Sequence, residues 1–76
     1  MARLIEILRS DLDQEDAAEV ERIIPDVVNE TSLTKRAALR LKQILPKLGK
    51  ASYDIAVSVI SDIASETAKK ILGLKP

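Results

Sequence analysis

The side chains that could do chemistry in this chain are carboxylates, lysines, arginines, hydroxyls and one tyrosine, Tyr53, because histidine and cysteine are absent. General acid–base or nucleophilic catalysis would have to rest on these groups alone. If this part of the chain is helical, four of these groups lie on one side of the helix: Ser58, Ser61, Asp62 and Ser65. The same spacing is typical of a solvated helix face, and 76 residues leave little chain to enclose a ligand pocket. The sequence therefore predicts a non-enzymatic protein without a cofactor.

An acidic cluster near the amino end is similar in composition to a calcium-binding loop. It comprises Asp11, Asp13, Glu15 and Asp16. A calcium loop also needs a glycine at its turn and a bidentate glutamate at its last position, and neither occurs here at the required spacing. Helix capping accounts for the cluster better, because Asp11 or Asp13 can cap a helix whose first turn then carries Glu15 and Asp16. No metal site is predicted.

Basic side chains cluster on the predicted helix 33–48, at Lys35, Arg36, Arg40, Lys42 and Lys47. A face of this kind could lie on a phosphate backbone, so a small nucleic-acid-binding domain is one alternative function. The formal net charge is zero, however, and neither Trp nor Phe is available to stack on bases. We therefore do not favour a nucleic-acid partner.

The charges are separated along the chain. Residues 1–31 hold nine carboxylates and three arginines, whereas residues 32–50 hold six basic side chains and no acidic one. An acidic and a basic lobe of this kind can close on each other or meet the opposite lobe of another copy. Either arrangement would fix how the surfaces dock.

Apolar residues recur at helical spacing along the whole chain, and no alternation typical of strands competes with them. The spacing predicts helices over about 2–10, 14–29, 33–48 and 50–72, within a single domain covering residues 1–76. Pro25 lies inside the second helix, where it should kink the helix without ending it, because the apolar period continues beyond it. Gly73 is well placed to end the last helix.

The spacing of apolar residues in the segment 50–72 predicts an amphipathic helix whose apolar side covers about half its circumference. This arc is wider than the roughly 100° that packing against one neighbouring helix needs. We therefore expect an all-α fold, a small bundle of three to four helices with this long C-terminal helix at its centre. We also expect the apolar side to be an interface with a second copy or a partner protein. The expected contacts are Tyr53, Ala56, Val57, Ile60, Ile63, Ala64, Ala68 and Ile71, with the isolated Leu39 as a further candidate.

A second alternative is association of the same helix with a membrane surface, or a pore-related role. Interfacial helices normally place basic residues opposite bulky Trp, Phe or Leu, whereas this one places Ser, Asp and Glu opposite Ala, Val and Ile. Its longest uninterrupted apolar run, 55–57, is far too short to span a bilayer, and no signal peptide is evident. A cytoplasmic location is expected.

Three stretches carry a family resemblance: Asn29-Glu30-Thr31-Ser32-Leu33-Thr34 leading into Ala37-Ala38, Lys47-Leu48-Gly49-Lys50-Ala51, and Ile60-Ser61-Asp62-Ile63-Ala64-Ser65-Glu66-Thr67-Ala68-Lys69-Lys70-Ile71-Leu72-Gly73. Together they resemble the C-terminal helical part of an uncharacterised bacterial family, over residues 6–73. In that family a zinc-ribbon-like cysteine segment precedes the helices. The resemblance implies a helical appendage that assembles or tethers something else. It assigns no functional residue, and the lack of cysteine here excludes a zinc-ribbon role for these residues.

Overall fold

A computed structural model of the chain describes residues 2–74, which fold into five α-helices and one short 3₁₀ turn, with no strand among them. The helices are α1 (Ala2–Asp11), α2 (Gln14–Val28), α3 (Thr34–Ile44), α4 (Lys50–Ile63) and α5 (Glu66–Leu72); the 3₁₀ turn, Leu45–Lys47, follows α3. The all-α prediction is confirmed. The expected number of three to four helices is too low, because the C-terminal segment forms two helices.

Local sequence explains most helix ends. The Asp13 side chain caps α2 by accepting a hydrogen bond from the Asp16 backbone N–H at 2.8 Å. Pro25 lies inside α2 with its ring exposed, and the helix continues through it to Val28. The Pro46 ring lies in the 3₁₀ turn that shortens the predicted helix 33–48. Gly73 ends α5 at φ 76°, the left-handed conformation that glycine adopts without strain.

The centre of the bundle is α3, not the C-terminal helix. It packs against α2 on one side and α5 on the other, and these are the two most extensive helix contacts in the protein. Ala38, Leu41 and Ile44 are completely buried along this helix. Helix α1 packs against α2 and α4. The prediction that residues 50–72 occupy the centre as one long helix is therefore wrong, because α4 ends at Ile63 and the chain turns at Ala64–Ser65.

Within residues 2–74, every helix is too short or too polar to span a bilayer.

Candidate docking surface

The predicted C-terminal interface divides into a buried and an accessible part. Four of its members are buried inside the protomer: Ala56, Ile60, Ala64 and Ala68. Val57, Ile63 and Ile71 are partly exposed, and Tyr53 is 38% exposed. The prediction that these four residues contact another molecule is therefore wrong, because α4 and α5 bring their side chains into the protomer's own core.

The acidic and basic lobes close on each other within the protomer. Arg40 on α3 donates from Nε to Oε2 of Glu19 on α2 at 2.6 Å and from Nη2 to Oε1 at 2.9 Å. Lys47 donates to Oδ2 of Asp16 at 2.7 Å. The bidentate hydrogen bond from Arg40 lowers the pKa of Glu19 and, reciprocally, the pKa of Arg40 is raised. These pairs fix α2 alongside α3.

Three of the predicted basic residues remain free of such pairs. Lys35, Arg36 and Lys42 are exposed on α3, and none has a carboxylate oxygen within 4.0 Å among residues 2–74. Leu39, which is 54% exposed, lies on the same outer side of α3. The outer side of α3 therefore combines positive charge with an exposed leucine.

A groove between α2 and α3 adjoins this side, and no local sequence pattern signals it. It has a volume of about 360 Å³ and is lined by Glu19, Ile23, Asp26, Leu33, Arg36, Ala37 and Arg40. Ile23 is partly buried against the core, while Leu33 remains 49% exposed. The Glu19–Arg40 ion pair joins the two helices at one part of the groove. Leu33 is the first residue of the predicted helix 33–48, but its exposure depends on where α2 lies, which the sequence pattern does not reveal.

Four of the polar side chains that could have done chemistry have structural roles: Asp11, Asp13, Asp16 and Ser65. Asp13 caps α2, Asp16 pairs with Lys47, and Asp11 accepts a hydrogen bond from the Gly49 backbone N–H at 3.2 Å. Ser65 leaves the predicted serine face because it caps α5, its Oγ accepting from the Ala68 backbone N–H at 3.4 Å. No group of three or more acidic, histidine or cysteine side chains is placed to hold a metal ion within the described part of the chain.

A second feature formed by residues far apart in sequence is a clasp from the α2–α3 connection to the start of α5. The Glu30 carboxylate accepts hydrogen bonds from the Thr67 backbone N–H at 3.0 Å and from the Thr67 hydroxyl at 2.8 Å. These two bonds lower the pKa of Glu30, the backbone bond contributing most. No local pattern signals this clasp, because its partners lie 37 residues apart.

Acidification is expected to weaken this clasp. Because the folded-state pKa of Glu30 is lowered, its stabilisation is present above the ordinary value of 4.5 and is lost as the pH falls through the lowered value. The free energy of unfolding, measured by urea titration with circular dichroism, should therefore fall on going from neutral to more acidic pH. Glu19 acts in the same direction, so the Glu30 share is the difference between the wild type and Glu30→Gln. Equal pH dependence of the two proteins would contradict this role of Glu30.

In a comparison with protein families, residues 1–72 match the model described as "Uncharacterized protein conserved in bacteria (DUF2321)". Comparisons with curated proteins and with solved structures give no significant match. The family match covers nearly the whole chain, including all five helices. The chain therefore belongs to this uncharacterised bacterial family.

Proposed function

We propose that this chain is a non-enzymatic self-association module whose docking surface is centred on the groove between α2 and α3. The observation that carries the proposal is the groove itself, where the half-exposed Leu33 lies beside Ile23 and Ala37. Apolar surface left open to water is stabilised when a partner covers it, by about 25 cal/mol per Å². The accessible residues of the C-terminal segment, including Tyr53, provide further apolar area outside the groove.

Charge favours a second copy as the partner. Helix α2 carries five carboxylates and one arginine, whereas the adjacent α3 carries four basic residues and no acidic one. Outside the ion pairs within the protomer, Glu15 and Asp26 remain on α2, and Lys35, Arg36 and Lys42 remain on α3. A twofold axis running along the groove would place α2 of each copy over α3 of the other. Opposite charges then face each other across an interface that is the same for both copies. A twofold axis across the groove would instead stack like charges, so charge selects one of the two arrangements.

Replacing Leu33 by Glu is the direct test of this surface. Leu33 is exposed, so the substitution should leave the helical circular dichroism spectrum unchanged while shifting light scattering after size exclusion from an oligomer to the 8.3 kDa monomer. The matched control is Ala51→Glu, which also adds a carboxylate at an exposed position but lies at the start of α4. A wild-type protein that stays monomeric at high micromolar concentration would contradict self-association. Equal behaviour of the two variants would place the contact elsewhere.

Nucleic-acid binding is the second candidate, because Lys35, Arg36 and Lys42 are exposed without carboxylate partners in the described region. A phosphate backbone would pair with these three residues, and added salt would weaken the complex steeply. Titration of a fluorescent DNA or RNA duplex with the protein at two salt concentrations tests this candidate. The membrane-surface alternative has less support, because the apolar side of residues 50–72 is interrupted at Ala64–Ser65 and its central residues are buried.

A further inference from the structure

The break between α4 and α5 occurs in a segment whose sequence favours an uninterrupted helix. Residues 50–72 contain neither glycine nor proline. Ala64 and Ser65 nevertheless adopt extended backbone conformations, with ψ of 145° and 164°. Apolar residues with helical spacing continue across these two positions, at Ile60, Ala64 and Ala68, and all three are buried. Something other than intrinsic helix propensity therefore holds the chain in its turned form.

Hydrogen bonds from the α2–α3 side hold the turn. The Ser65 backbone N–H donates to the Val27 carbonyl at 2.9 Å, and Glu30 accepts from the Thr67 N–H and hydroxyl. Every backbone donor in this set would find a carbonyl four residues back if the helix ran straight. The turned and straight forms thus exchange one set of hydrogen bonds for another. Their difference in free energy is set mainly by the packing of α5.

A straight helix over residues 50–72 would be longer than the protomer itself. Twenty-three residues of α-helix, from 50 to 72, are about 35 Å long at 1.5 Å per residue. The longest dimension of the protomer is 29 Å. The end of a straight helix would therefore project beyond the bundle, and the α5 site on α3 would lose its cover. Helices α3 and α5 pack extensively against each other, and Ala38 on α3 and Ala68 on α5 are both completely buried.

We propose that two copies of this chain exchange α5: residues 50–72 straighten through Ala64–Ser65, and each α5 occupies the α5 site on the partner's α3. The partner's α5 fits the site on α3, because the same sequence fills that site within the protomer. The exchange is reciprocal and therefore closes as a dimer. It rests on the proposed function only in taking a second copy as the partner, and it requires no contact between the α2–α3 grooves.

Two substitutions at the hinge, Ala64–Ser65 and the adjoining start of α5, shift the balance between the turned and the straight form in opposite directions. Glu66→Pro places proline at the first position of α5, where its fixed φ is well accommodated, and the preceding Ser65 already has the φ of −66° and ψ of 164° that a residue before proline prefers. In a straight helix the same proline removes a hydrogen bond and clashes with the preceding turn. Ser65→Ala removes the α5 cap and favours the straight form. Glu66→Ala is the matched control, because it removes the same carboxylate without restricting the backbone.

The experiment combines light scattering after size exclusion with isotope-filtered nuclear Overhauser spectroscopy on mixtures of labelled and unlabelled protein. The expected result is a dimer with inter-copy contacts between methyl groups of α3 and α5. The dissociation constant of the dimer should fall roughly thirtyfold in Ser65→Ala, because each of the two monomers loses a helix cap that the straight form in the dimer does not have. Glu66→Pro should be monomeric with the same helical circular dichroism, and Glu66→Ala should still dimerise. If Glu66→Pro loses its helical signal, the dissociation constants of Ser65→Ala and the wild type are compared instead, and that comparison decides whether the exchange occurs.

The outcomes separate this inference from the proposed function. A dimer that lacks inter-copy contacts between α3 and α5, or one that Glu66→Pro leaves intact, overturns the exchange and leaves self-association standing. A dissociation constant unchanged in Ser65→Ala also overturns the exchange. If the wild type and Ser65→Ala both remain monomeric at every concentration, the exchange and the proposed self-association are both overturned.

Discussion

Replacing Ile60 by Asp is expected to unfold the protein. Ile60 has 0% of its surface exposed, so the substitution removes an apolar side chain worth roughly 1.5–3 kcal/mol and places a carboxylate in the core. An unpaired buried charge costs several kcal/mol more. A chain of this size has a total stability of roughly 4–11 kcal/mol, at 0.05–0.15 kcal/mol per residue. Far-UV circular dichroism without denaturant should show most of the helical signal lost.

The matched control is Ile55→Asp, the same substitution five residues earlier on α4. Ile55 is partly exposed at the surface between α1 and α4, so its carboxylate can reach water. We expect this variant to keep its helical spectrum with only a modest loss of stability. A folded Ile60→Asp protein that merely changes its oligomeric state would mean that Ile60 belongs to an interface between copies and that α4 does not pack as described.

The contrast between these two isoleucines shows what the sequence could predict about the C-terminal segment. Helical periodicity correctly places Ala56 and Ile60 on the apolar side. It does not reveal that other parts of the same chain cover that side, because coverage depends on where α1 and the 3₁₀ turn pack against α4 and where α3 packs against α5. Nor does it locate the break at Ala64–Ser65, which is held by Val27 and Glu30, far away in the sequence.

Local signals, by contrast, predicted local features well. Asp13 caps α2, the helix continues through Pro25, and Gly73 ends the last helix, all as the sequence indicated. Each of these features is decided within about four residues. The groove between α2 and α3 is different in kind, since it depends on how two whole helices pack. Their buried apolar sides lie against each other, and Glu19 and Arg40, 21 residues apart, form an ion pair between them. The candidate docking surface could therefore not have been predicted from the sequence pattern alone.

Thr34→Val is expected to destabilise the protein by roughly 1–3 kcal/mol, the cost of leaving buried polar groups without a partner. Thr34 is 1% exposed at the start of α3. Its hydroxyl accepts a hydrogen bond from the Thr31 backbone N–H at 2.8 Å and donates to the Asn29 carbonyl at 2.9 Å. Valine fills the same volume but can do neither, so the connection between α2 and α3 loses both bonds. Urea unfolding followed by circular dichroism should show a lower midpoint with an unchanged slope.

The informative comparison is with Thr34→Ser, which keeps the hydroxyl and removes a buried methyl group worth about 1 kcal/mol. If packing alone mattered at this position, valine would be the milder replacement, because it keeps the volume and serine does not. If the two hydrogen bonds matter more, serine is the milder one. We expect serine to be the more stable variant, because the same hydroxyl serves two backbone groups of one short connection. A more stable valine variant would mean that water or a backbone shift replaces both bonds, and that the start of α3 is fixed by packing.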